Sequence, residues 1–120
     1  MKTSELTGDA LDWAVAICEN WRETIMNGAL MLKKVDASGA HTAYRFVEDL
    51  PYSQHWGFAG PIIEREWIDL HCVNGSLWEA ECPAIGGLAM QNGPTPLAAA
   101  MRCYIAIRLG DEVNIPKELQ

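Results

Sequence analysis

Ile68-Asp69-Leu70-His71-Cys72-Val73-Asn74-Gly75-Ser76-Leu77-Trp78-Glu79-Ala80-Glu81-Cys82 alternates apolar and polar residues on both sides of a turn-forming Asn-Gly pair. This period of two puts Ile68, Leu70 and Cys72 on one face of a strand, and Trp78, Ala80 and Cys82 on the same face of the next. A two-residue Asn74-Gly75 loop would set Leu70 opposite Glu79 and mix the two faces. The alternation therefore predicts a three-residue loop, Val73 to Gly75, with Gly75 left-handed in a bulge. Leu70 then faces Trp78, Ile68 faces Ala80, and Asp69 meets Glu79 on a solvated outer face.

Downstream, residues 83–92 read as a loop, with Gly86-Gly87 allowing unusual backbone angles. Gly93-Pro94-Thr95-Pro96 marks a helix start, with Thr95 as N-cap and Pro96 in the first helical position. The helix extends to about Leu109, where Gly110 stops it and Arg108 complements its negative end. Leu97-Ala98-Ala99-Ala100-Met101 is apolar nearly all round, so most of this helix is expected inside. Val113 to Ile115 reads as a short edge strand.

Upstream, Ala29–Val35 and Thr42–Val47 read as a second hairpin around the turn Asp36-Ala37-Ser38-Gly39. From Leu50 to Gly60 the pattern follows neither period, which predicts an aromatic-rich loop able to wall a pocket or to plug the core. A helix of about 12 residues follows Thr7, its cap, with Leu6 and Leu11 as a hydrophobic staple. Ala10, Leu11, Ala14, Val15, Ile17 and Cys18 form its apolar face, Trp13 sits at the edge, and Asp12, Glu19 and Asn20 lie on the polar side. The expected class is α+β: a small antiparallel sheet of two hairpins, packed with an N-terminal helix and a largely buried C-terminal helix.

The chain has 120 residues, 16 acidic and 9 basic, for a formal net charge of -7, with 49% hydrophobic residues. That is enough apolar material for one core, and residues 1–120 read as a single domain. No apolar run approaches the roughly 20 residues of a membrane span, and the N-terminus lacks a secretory pattern, so a cytoplasmic location is expected. The acidic balance, with no Lys or Arg between Glu66 and Met101, disfavours direct DNA binding, which relies on cations at phosphates. Cys18, Cys72, Cys82 and Cys103 make no C-x-x-C pair and read as free core thiols rather than zinc ligands. No metal or cofactor is expected.

Enzyme motifs such as G-x-S-x-G, the P-loop and H-E-x-x-H are missing, so the sequence favours a binding protein over an enzyme. His41, His55 and His71 are candidate acid–base groups by titration range alone. Glu64-Arg65-Glu66 resembles an exposed alternating charge run more than a carboxylate dyad. The binding constellation is Thr95 and Arg102, with Trp13, Tyr52 and Trp56 as aromatic partners. Backbone N–H groups at the helix start favour an anion. Arg102, the only charged residue in the buried part of the helix, needs a partner there: an internal carboxylate or a ligand phosphate.

Three further stretches carry a resemblance. They are Lys2-Thr3-Ser4-Glu5-Leu6-Thr7-Gly8 with Leu11-Asp12-Trp13-Ala14-Val15-Ala16, Gly60-Pro61-Ile62-Ile63-Glu64-Arg65-Glu66, and Gly93 through Tyr104 with Leu109-Gly110-Asp111-Glu112-Val113. Together they resemble the NinX family of tailed-phage accessory proteins over nearly the whole chain. The resemblance implies a phage origin, so the cytoplasm is that of an infected bacterium, and it carries over no catalytic residue. The leading expectation is a non-enzymatic binder that sequesters a phosphate-containing, nucleotide-derived small molecule, such as a signal of host antiphage immunity. The alternative is a protein-interaction module acting on a host or phage protein through exposed Trp and Tyr residues. Either is compatible with a homo-oligomer, in which a pocket could lie between subunits.

Overall fold

A computed structural model describes the backbone of residues 1–120 and the side chains of all but residues 41 and 42. The acid–base reading of His41 lies outside the described side chains. Three α-helices, α1 (Gly8–Cys18), α2 (Trp56–Arg65) and α3 (Pro96–Leu109), accompany six strands. These are β1 (Trp21–Met26), β2 (Ala29–Val35), β3 (His41–Arg45), β4 (Asp69–Asn74), β5 (Leu77–Ala84) and β6 (Gly87–Gly93). They form two antiparallel three-stranded sheets, ordered β1-β2-β3 and β4-β5-β6. α3 packs on the second sheet and against α1, and every residue from Leu97 to Ile105 is buried. The α+β class with packed N- and C-terminal helices holds.

Each expected hairpin gains a strand. Asn27 and Gly28, with φ of 50° and 79°, make the tight turn that joins β1 to β2. This Asn-Gly pair is the favoured composition for such a turn. Residues 83–92 are not a loop: only Ile85-Gly86 turns, Gly86 having φ 85°, and β6 then pairs with β5 along its whole length. Pro83 is tolerated because β4 ends opposite Glu81, leaving that part of β5 without a strand on its other side.

The deciding hairpin keeps apolar facing apolar but slips by two residues from the expected register. Leu70 faces Ala80, Cys72 faces Trp78 and Asp69 faces Glu81. The bulge falls at the Cys72–Asn74 irregularity, and Gly75 is not left-handed. Asn74 Oδ1 accepts hydrogen bonds from the backbone N–H and hydroxyl of Ser76, so an Asx turn replaces the glycine device.

Trp56 to Gly60 is likewise helix rather than loop. Ala59 and Ile62, three apart, are both buried, and their packing overrides Gly57, Gly60 and the helix-interior Pro61. The expected strand at Val113–Ile115 is reduced to a single bridge, Lys2 to Glu112, with Val113 N–H donating to the Met1 carbonyl at 2.8 Å. Thr7 occupies the N-cap position of α1 without a side-chain cap bond. Leu6 and Leu11 are both buried, and so is Asp12, against the expectation of a polar exposed position. Of the four free cysteines Cys72 is exposed, so the reading of all four as core thiols is corrected at that position.

Gly93 sits where β6 delivers the chain to the first turn of α3. A Cβ there would lie 2.7 Å from the Ala99 backbone nitrogen and 3.1 Å from Ala98 atoms. Gly93→Ala is therefore expected to cost about 1–3 kcal/mol, the usual range for forced overpacking. Equilibrium urea unfolding measures this directly.

Candidate functional site

The aromatic and helix-start residues singled out in the sequence do not converge on one pocket. Trp13 is buried in the core against α1 and α3 neighbours, its edge lining a small depression with Ala14, Ile17 and Leu109. Tyr52 is also buried, its ring meeting Phe58 edge-on at 5.6 Å, and burial pushes its phenol above the ordinary range. Trp56 and Thr95 do meet: with Ser53, Gln54, Pro96 and Leu97 they line an open groove of about 330 Å³, and Trp56 is 55% exposed there.

The helix start at this groove is largely satisfied from within. Thr95 Oγ1 accepts from Ala98 N–H at 3.1 Å, and Pro96 has no N–H to offer. Arg102 lies elsewhere, 8% exposed, donating from Nε to the Leu6 carbonyl at 2.9 Å and from Nη1 to the Asn92 carbonyl at 2.8 Å. Among the described residues no carboxylate pairs with it. Burial alone pulls its pKa down, yet a guanidinium stays charged in that setting.

Two features went unread in the sequence. The first is an ion-pair network across α1, α2 and α3. Arg65 binds Glu19 through both terminal nitrogens at 3.1 and 2.7 Å, and Glu66 through Nε at 2.7 Å. Arg108 reaches Glu66 at 3.2 Å, and the Tyr104 hydroxyl donates to Glu19. Burial pushes the Glu19 carboxyl up, but bonds from Arg65 and Tyr104 outweigh it and hold the group below its ordinary value. In the charge run Glu64-Arg65-Glu66 the first two residues are exposed as expected, and Arg65 and Glu66 clamp the C-terminal turns of α1 and α3.

The second is Trp67. The α2 C-terminus closes with Glu66 N–H bonded to the Ile62 carbonyl and Ile68 N–H bonded to the Ile63 carbonyl at 3.0 Å. That six-to-one bond is the signature of a Schellman stop, whose left-handed position normally holds Gly. Here Trp67 holds it, with φ 57°. A bulky residue in that conformation costs on the order of 1 kcal/mol relative to Gly. Its ring is 76% exposed, so folding recovers little by burying it. Glu66, the residue before it in the chain, lines with Arg108 an open apolar groove of about 650 Å³ whose other lining residues are Pro83, Ala84, Ile85, Ala89, Ala106 and Ile107. Ile85, at the β5–β6 turn, is fully exposed.

The described residues contain no group of His, Cys, Asp and Glu able to hold a metal. Among the described residues no helix is long and apolar enough to cross a membrane. Residues 2–108 match the family model described as Bacteriophage P22, NinX. The chain belongs to the NinX family. Among curated proteins no match is found. NinX membership makes this a phage accessory protein, and the matched range contains α1, α2, α3 up to its last residue but one, Trp67, the residues of the apolar groove and all five residues expected to bind a ligand.

In this NinX chain Asp12 positions the segment leading to Trp56, accepting the Ser53 N–H at 2.7 Å. Desolvation pushes its carboxyl above the ordinary range, with the Ser53 bonds opposing. The folded state therefore binds the proton more tightly than the unfolded state does. The stability this contributes is full below the unfolded pKa and declines as pH rises through the folded one. Asp12→Asn is expected to remove that decline while keeping the acceptor. Asp12→Ala is expected to cost about 1–3 kcal/mol by orphaning the Ser53 N–H. Urea unfolding of the three proteins across the acid range checks both the slope and the cost.

Proposed function

We propose that this phage accessory protein acts by binding a host or phage protein, with Trp67 as the anchor and the neighbouring apolar groove as the receiving surface. The observation that carries the reading is a tryptophan kept exposed in a backbone conformation suited to glycine. Nothing in the packing of the chain rewards that choice, whereas Trp is among the residues enriched at interface hot spots. The groove, which begins at Glu66 next to Trp67 in the chain, and the fully exposed Ile85 supply further apolar surface. The clamp of Arg65, Arg108, Glu19 and Glu66 fixes the ends of α1, α2 and α3, so the anchor is presented on a braced scaffold.

Trp67→Gly separates display from folding. It is expected to leave stability unchanged or raise it by up to about 1 kcal/mol, since Gly relieves the left-handed strain but adds unfolded-state entropy. The same substitution is expected to release a specific partner from the immobilised protein in infected-cell lysate, a loss of ≥2 kcal/mol being usual for a hot spot. A partner retained equally by wild type and Trp67→Gly contradicts the reading.

A second reading, capture of a phosphate-containing nucleotide-derived molecule, is favoured by one observation: Trp56 and Thr95 share a groove with an exposed ring face. Stacking on Trp56 would supply most of the recognition, because Thr95 caps its own helix and Arg102 is committed to two carbonyls. Thermal unfolding against nucleotides, cyclic dinucleotides and ADP-ribose derivatives tests it. A ligand at a hundred times its dissociation constant adds about 2.7 kcal/mol, and Trp56→Ala should abolish the shift. No shift with any compound removes this reading.

A further inference from the structure

The two sheets expose four edge strands, β1, β3, β4 and β6. Open edges invite pairing with other chains, and proteins blunt them with charge, proline or bulges. β1 carries Arg22 and Glu23, β3 carries Arg45, and β4 carries Asp69 and a bulge. β6, Gly87-Leu88-Ala89-Met90-Gln91-Asn92-Gly93, has no charged residue, no proline and no register break. On its outer face Leu88 is 68% and Met90 51% exposed. We infer that β6 pairs antiparallel with β6 of a second copy of this chain, joining the two second sheets across a two-fold axis at Ala89.

The composition selects a second copy over an unrelated partner. Around a two-fold axis a strand pairs with its own copy, so a charge on the axis faces its like and one beside the axis lies diagonally close to its like, and both arrangements repel. An edge meant for an oppositely charged partner would carry a charge, and this one carries none in a chain of net charge -7. Arg102 already engages the Asn92 carbonyl, and the short helical turn at Thr3–Glu5 packs at that end, so the free part of the edge is Gly87–Gln91. Centring the pair on Ala89 sets Leu88 opposite Met90 of the second copy and Met90 opposite its Leu88. The two exposed apolar residues thereby cover each other. Glu81, opposite Met90 on β5, stays at least three strand spacings from its own copy, about 14 Å, beyond the Debye length at physiological salt. The pairing uses the outer face and edge of β6; Trp67 takes no part in it, and of the residues that line the apolar groove only Ala89 belongs to β6.

Sedimentation equilibrium of the purified chain from roughly 1 µM to roughly 1 mM, a range of about 4 kcal/mol in association free energy, should show the mass rising toward twice the 13.3 kDa of the chain at the upper end. Met90→Lys, at a half-exposed position, should remain folded and weaken the dimer at least about 100-fold, while Trp67→Gly should leave it unchanged. Amide hydrogen exchange of wild type should slow across Gly87–Gln91 as concentration rises, a readout that needs no variant. A wild type that is monomeric throughout the range overturns the inference. So does a dimer that leaves Gly87–Gln91 exchange unaltered, or one that survives Met90→Lys intact.

Discussion

A buried guanidinium held by two main-chain carbonyls fixes how the rest of this chain assembles. Arg102 projects from the middle of α3 and binds Leu6, just before α1, and Asn92, near the end of β6. Leaving so strong a set of donors unsatisfied away from water is costly, so the three segments must meet in one arrangement. The same meeting point places Gly93 against the first turn of α3, where no side chain fits. It also brings the N-terminal strand bridge, Lys2 with Glu112, to the far end of the helix. Burial of α3 from Leu97 to Ile105 supplies the driving force, and Arg102 supplies the registry.

The elements that were legible in the sequence are those with strong local rules. Thr95-Pro96 and Gly110 bracket α3 because capping and proline geometry act over a few residues, and the structure puts the helix at Pro96–Leu109. The alternation around Asn74 identified the inward residues of β4 and β5 except Cys72, which is exposed, but not the register, because an Asx turn at Asn74 and Ser76 replaced the glycine bulge. α2 was hidden by Gly57, Gly60 and Pro61, whose local preferences yield to burial of Ala59 and Ile62. β6 was hidden because its side chains alternate weakly and glycines border it.

The binding residues were less legible, since they depend on contacts distant in sequence. Arg102 looked like an anion site because the need of a buried charge for a partner is visible in sequence, while the identity of that partner is not. Main-chain carbonyls 96 and 10 residues away carry no sequence signal. Trp67 escaped notice for the opposite reason: only its backbone angle and exposure set it apart from a core tryptophan. The surface features left over after folding is accounted for are the displayed Trp67 with its groove, the Trp56–Thr95 groove and the uncharged β6 edge. Each is a place where a second molecule can add contacts that the chain does not make with itself.

The role of Arg102 as the pin of the fold is tested most directly by equilibrium urea unfolding of wild type, Arg102→Lys and Arg102→Ala. Charged hydrogen bonds of this kind contribute about 1.5–3 kcal/mol each. Arg102→Ala, which removes both bonds, is expected to lose roughly 3–6 kcal/mol, and Lys less, although its single ammonium cannot reproduce the fork. An Arg102→Ala protein within about 0.5 kcal/mol of wild type, the range of neutral surface substitutions, would contradict that role and return Arg102 to the list of groups kept for a ligand.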